Sequence, residues 1–181
     1  APQYRWYPSH VFIAASNYTG GNTYRYDAET NTLYCETDGI WDGLAVNFKT
    51  HIVVRFGEGQ VDADRTYTVG EGGNTCIHIA LTGKVLDARM GLSYISPELA
   101  LAALDRECGD KTFEAIRSEA AAAWEEKLSR IEIESPDLEQ MKTFYSCMYR
   151  TGLFPHAAFE LDENGEPVHY SPYLGTVEKG V

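Results

Sequence analysis

Basic residues are scarce. Against 27 Asp and Glu, the 181 residues include only 15 Lys and Arg, for a formal net charge of -12. That charge repels a phosphate backbone at every distance, which excludes electrostatic nucleic-acid binding and disfavours an anionic lipid surface. Long apolar runs are also missing: nothing approaches the roughly 20 apolar residues of a membrane-spanning helix, so no membrane span is expected. Cysteine is thin, with Cys35, Cys76, Cys108 and Cys147 far apart and no CxxC pair, which rules out a zinc ribbon or a thioredoxin motif. The even count permits disulfides without requiring them. His10, His51, His78, His156 and His169 show no metal-ligating spacing, and no GxSxG, P-loop or GxGxxG occurs. "GEGG" at Gly70 to Gly73 joins two strand-like runs and opens no helix, which removes a phosphate cradle. No secretory signal is visible, and the start at Ala1-Pro2 without Met reads as a processed or excised product.

What is present is a β-rich texture followed by a helical one. Apolar residues make up 44%, enough for a core, and Tyr leads the aromatics with 12 copies. Tyr and Trp combine an apolar face with a polar tip, which suits a β-rich protein and one that handles sugars. From Trp6 to about Ser96, "HVFIAAS", "TLYCE", "HIVVRF", "RTYTVG" and "TCIHIAL" are β-branched and aromatic runs separated by Gly, Asn and Asp clusters, the pattern of an antiparallel sandwich. Alternation in "TCIHIAL" sets Cys76 and His78 on a wet face and Ile77 and Ile79 on the dry one. Ser96-Pro97-Glu98 then opens a helix with a serine cap, proline at the first helical position and an early acid, predicting a helix from Pro97 to Glu107 closed by Gly109. Asp110 is positioned to cap a second helix, whose Phe113, Ile116, Ala120, Trp124 and Leu128 form one apolar stripe that needs a surface. Ser135-Pro136-Asp137 repeats the start signal, predicting a third helix from about Pro136 to Gly152. Leu138, Met141, Tyr145 and Met148 line one face of it, while Phe144, Cys147 and Phe154 carry the apolar surface onto a neighbouring arc. A helix of such girth is normally enclosed by other helices.

Three acidic groups are candidates for chemistry. Asp162, Glu163 and Glu166 flank Asn164-Gly165 but do not meet the calcium-loop pattern, and they read as a solvated hairpin turn. Glu125 and Glu126 sit near Lys127 and Arg130 as surface pairs of the second helix. Asp38 and Asp42 bracket Trp41, which reads first as a Trp at the edge of the core and second as a sugar-stacking face with carboxylates to bond hydroxyls.

In order along the chain, "GLSYISPELALAALDRE", "FEAIRSEAAAAWEEKLSRIEIE" and "FYSCMYRTGLFPHAAFELDENGEPVHYSPYLGTVEKG" resemble glycoside hydrolase family 92, the calcium-dependent bacterial exo-α-mannosidases. The likeness runs from Lys84 to Gly180; before that, only the β-texture and "HVFIAAS" look similar, and the Cys- and Tyr-rich strands depart from the usual family pattern. The resemblance implies an α+β fold: an antiparallel β-sandwich portion over 1-96, a helical linker over 97-135, and the first helix of an α/α toroid in 136-181. It also implies an inverting hydrolysis of terminal α-linked mannose, in which one carboxylic acid protonates the leaving oxygen and another carboxylate activates water. Calcium, in the complete enzymes, helps hold and distort that mannose.

No catalytic or metal-ligating role falls on this chain by that resemblance, and the chain alone is expected to be inactive and to bind no calcium. Its candidate substrate-binding residues are His156 and Glu160, just beyond the third helix, and Trp41; the alternative for the first two is loop support. The implied partners are α-mannoside glycans and the remainder of the toroid, with self-association through the 136-154 helix in their absence. The implied location is secreted, periplasmic or on the cell surface of a bacterium. Two other functions stay open: a non-catalytic carbohydrate-binding sandwich using Trp41 and the Tyr-rich strands, and an interaction module docking through the third helix.

Overall fold

The computed structural model describes residues 21-38, 49-71, 75-153 and 158-181 in full and 10-13 as backbone. Ten strands and three helices occur among them: β1 (His10–Ile13), β2 (Asn22–Asp27), β3 (Thr32–Thr37), β4 (Thr50–Phe56), β5 (Val61–Val69), β6 (Cys76–Leu81), β7 (Ala88–Ser93), α1 (Pro97–Glu107), α2 (Phe113–Leu128), α3 (Leu138–Thr151), β8 (Glu160–Leu161), β9 (Pro167–Ser171) and β10 (Thr176–Lys179). The chain forms two compact units, one of 1-107 with 159-181 and one of 108-158. The α+β reading is correct: antiparallel sheets come first and helices follow.

In the first unit every strand pairing is antiparallel. A four-stranded sheet runs β2-β3-β4-β7, a three-stranded one β1-β6-β5, and a smaller C-terminal one β10-β9-β8. One core cluster takes Leu33, Val54 and Phe56 from the first sheet and Val61, Ile77, Ile79 and Leu81 from the second, so these two sheets share an apolar interior. Burying each such side chain is worth about 1.5–3 kcal/mol. The alternate residues of "HIVVRF" and "TCIHIAL" therefore do pack this core.

The expected wet face of β6 is not found. His78 is buried, its Nδ1 3.2 Å from the Arg65 carbonyl and its ring 4.6 Å from that of Tyr67. The reason is position, since β6 lies between β1 and β5 and its neighbour's aromatic covers the second face. β5 is the edge of this sheet, mostly exposed, with a register shift between Asp62 and Tyr67 of the kind that discourages edge pairing.

In the helical unit α2 starts at Thr112, whose hydroxyl accepts from the Ala115 N–H, and not at Asp110. The cap of α3 is Asp137, its carboxylate accepting from Glu139 and Gln140 N–H, and Ser135 serves one step earlier by accepting from the Asp137 N–H. The α2 stripe is only partly covered: Ile116, Trp124 and Leu128 are half-buried, while Phe113 is 74% exposed. Trp124 lies against α3, its ring 4.4 Å from Tyr149, and a Cβ on Gly152 would come within 3.3 Å of it. Neither α2 nor α3 has a fully buried residue.

Candidate functional site

β4 presents Val54 and Phe56 to the shared core and, by alternation, His51 and Val53 to the opposite face of its sheet. On that face α1 packs through Ala100 and Leu104 against Val53. Opposite Val53 in β7 stands Gly91. A Cβ there would lie 2.1 Å from the Ala100 carbonyl oxygen and 2.8 Å from the Leu104 Cβ, so α1 rests directly on strand backbone. The helix begins as its sequence predicts, with the Ser96 hydroxyl accepting from the Leu99 N–H. Glu98 in the first turn is held below the ordinary carboxyl range by its own backbone N–H and the Ser96 hydroxyl, with His51 adding to the effect.

Strand register lines polar side chains across this face. Glu36 of β3 is opposite His51 of β4, which is opposite Ser93 of β7. The Glu36 carboxylate lies 3.4 Å from His51 Nδ1 and accepts from Lys49 Nζ at 2.5 Å. Ser93 is fully buried and donates its hydroxyl proton to Glu160 Oε2 at 2.5 Å, while the Tyr94 N–H donates to Glu160 Oε1 at 2.6 Å. The row runs from Glu36 to Glu160. It offers no nucleophile, because the Ser93 hydroxyl is enclosed and already bonded.

Of the residues marked from sequence, Glu160 is placed on β8 with both carboxylate oxygens engaged. Trp41 and His156 lie outside the described residues. Ser93 and His51 were not marked. Alternation along "HIVVRF" puts His51 on the face of Val53, but nothing local to Ser93 points to a partner 67 residues away.

The hairpin between β8 and β9 is the turn its Asn164-Gly165 predicts, with Gly165 at φ 79°. Asp162 turns inward on it, accepting from the Asn164 N–H at 2.8 Å and the Glu166 N–H at 2.9 Å. Its carboxyl is pulled below the ordinary range by the Glu166 N–H first and that of Asn164 next. Such an acid is committed to its own loop. Among the described residues no three His, Cys, Asp or Glu side chains converge as a metal site would require, so they do not fit a calcium ion.

The helical unit contributes a groove of about 650 Å³ between α2 and α3, lined by Leu128, Leu138, Met141, Tyr145 and Tyr149 with Lys142 and Arg150 at its polar side. Tyr145 donates its hydroxyl to the Ile131 carbonyl at 3.2 Å, which ties the connecting segment to α3. The lining is mostly apolar and open to solvent.

Comparison with known proteins agrees with this architecture. Residues 99–180 match the glycosyl hydrolase family 92 catalytic domain. The structure of the family GH92 inverting mannosidase from Bacteroides thetaiotaomicron VPI-5482 superposes with a TM-score of 0.82 at 32% identity, covering 94% of this chain and 24% of that one. A second solved structure, the gh92 family glycosyl hydrolase ccman5, has the same fold, with a TM-score of 0.68 at 19% identity and coverage of 94% and 24%. An "Uncharacterized secreted glycosidase" of Arthroderma benhamiae is 34% identical over 74 residues, 39% of this chain and 10% of its own length. The chain thus spans about a quarter of the solved enzymes and a tenth of the curated relative. The helical segment and the C-terminal strands, residues 99–180, thus match the glycosyl hydrolase family 92 catalytic domain, and nearly the whole chain, sheets included, superposes on a mannosidase of that family.

Proposed function

We propose that this chain is part of a glycoside hydrolase that removes terminal α-linked mannose from glycans with inversion at the anomeric carbon. The observation that carries this reading is the superposition of nearly the whole chain, sheets and helices together, on an inverting mannosidase at an identity above what fold likeness alone requires. A stand-alone carbohydrate-binding sandwich would account for the sheets but not for the match beyond them.

In an inverting hydrolysis one carboxylic acid protonates the departing glycosidic oxygen. A second carboxylate, roughly 6.5–9.5 Å away, activates a water on the opposite face of the sugar. None of the described residues is assigned to either role: Glu160 and Asp162 are engaged within the fold, and Glu36 is paired with Lys49. This chain's share is architectural. It supplies the β-layers with α1 seated on them, and a first pair of helices whose uncovered apolar side is packed by further helices in the parent protein. Calcium, which the family resemblance implies, would be held by residues other than those described here. The secreted relative favours a site of action outside the cytoplasm.

Mannose release tests the reading. The parent protein is expected to liberate mannose from simple α-mannosides, and the isolated chain to liberate none. Release by the purified chain, or glucose or galactose release in place of mannose by the parent, would overturn it.

A further inference from the structure

We infer that the Ser93 hydroxyl is a shared anchor for the start of α1 and for β8, and that Glu160 is its required partner, a positioning residue and not a sugar ligand. The inference stands on hydrogen-bond stoichiometry, independently of the activity proposed above.

A serine hydroxyl has one proton to donate and two lone pairs to accept with. Both lone pairs of Ser93 are used: the Ile95 N–H donates to it at 2.9 Å and the Ser96 N–H at 3.1 Å. These bonds fix the turn that leads into the Ser96 cap, a serine turn closing on its own following residues. The remaining proton goes to Glu160 Oε2. Glu160 Oε1 in turn accepts from the Tyr94 N–H, the group just before the two that Ser93 holds. The one proton and both lone pairs of the Ser93 hydroxyl are matched, and Ser93 is closed to water.

Two crossings of the chain meet here. The helical segment 108-158 is inserted between α1 and the strand pair that begins at Glu160. One buried hydroxyl therefore holds the turn that leads into the helix preceding the insertion and the first residue of the strand that follows it. The geometry demands two acceptors at position 160, one for a hydroxyl and one for an N–H. A carboxylate supplies both. A carboxamide supplies one, and its NH2 group would face either the Tyr94 N–H, donor against donor, or a Ser93 oxygen whose lone pairs are taken.

Residue-resolved amide exchange by NMR on the full 181-residue chain tests this, with Glu160→Gln, Glu160→Asp, Ser93→Ala and the Ser93→Ala, Glu160→Gln double variant. Glu160→Gln is expected to speed exchange at Tyr94, Ile95 and Ser96 by about tenfold or more, the scale of a lost charged hydrogen bond, while Val53 and Val54 keep their rates. Glu160→Asp, which keeps two acceptors on a shorter arm, should protect Tyr94 better than Glu160→Gln. The double variant should be no faster than the worse single. A Tyr94 rate in Glu160→Gln within about twofold of wild type, uniform acceleration of all amides, or equal loss in the Asp and Gln variants would overturn the assignment.

Discussion

Replacing Gly91 by alanine separates local propensity from packing because the two give opposite signs. Taken alone, a glycine in mid-strand is destabilising, and Gly→Ala at a compatible position stabilises by about 0.4–1 kcal/mol through the unfolded chain. Gly91 is not at positive φ, so its backbone accepts alanine. The space does not. The added Cβ would sit 2.1 Å from the Ala100 carbonyl oxygen, a backbone atom that no side-chain rotation can remove. Restoring ordinary contact requires α1 to lift by about 1 Å, a gap that forfeits a quarter to a half of each dispersion contact across it. The contacts at stake are those of Ala100 and Leu104 with Val53, all fully buried. Overpacking of this kind costs about 1–3 kcal/mol and at times more, so the net expectation is a loss of about 2 kcal/mol. Thermal unfolding should show a fall of about 4–8 °C, with Gly83→Ala, which meets open space, within about 2 °C of wild type. A Gly91→Ala protein as stable as wild type would refute the direct seating of α1 on β7.

Cys35 and Cys147 should react at different rates with a thiol reagent at pH 8. Burial pushes the Cys35 thiol up to about 11, whereas Cys147 is exposed. Equal rates in the folded chain would contradict the packing of β3. Because the folded value is raised, the associated stability is full below the ordinary thiol range and is lost as pH rises toward 11. Asp162 is the opposite case: its depressed value means that its support for the β8–β9 turn is full at neutral pH and lost as pH falls through that value. NMR titration should find Asp162 below the ordinary Asp range, and Asp162→Ala should remove the acid sensitivity of the Asn164 and Glu166 amides. The isolated chain, with Phe113, Leu138, Tyr149 and Leu153 exposed in its helical unit, should sediment with an average mass that rises with concentration. A Phe144→Lys, Met148→Lys double variant should not; a strictly monomeric wild type that binds no apolar dye would contradict the uncovered face.

The features legible in the sequence are those whose causes are local. Ser96-Pro97-Glu98 carries the whole signal for the start of α1, and Asn164-Gly165 that for its turn, because capping and positive φ depend on a few consecutive residues. β2 and β7 were missed: "NTYRYD" and "ARMGLS" have few β-branched residues and become strands through pairing with β3 and β4. The misread face of β6 has the same origin, since burial of His78 depends on which strands flank it. Trp124 illustrates the limit of periodicity. Its spacing identifies the stripe but leaves open whether the sheets or the third helix cover it; Trp124 lies against the third helix, and Phe113, on the same stripe, is left exposed. Glu160 was marked from its place beyond the third helix, yet its engagement depends on Ser93, which only the assembled sheet brings near.

The stereochemistry of mannose release tests the central claim most directly. The parent protein, incubated with an α-mannoside and followed by proton NMR from the first minutes, is predicted to liberate β-mannose first, with the α anomer appearing later by mutarotation. Immediate appearance of α-mannose would contradict the inverting reading, and absence of any mannose would contradict assignment of this chain to a mannosidase.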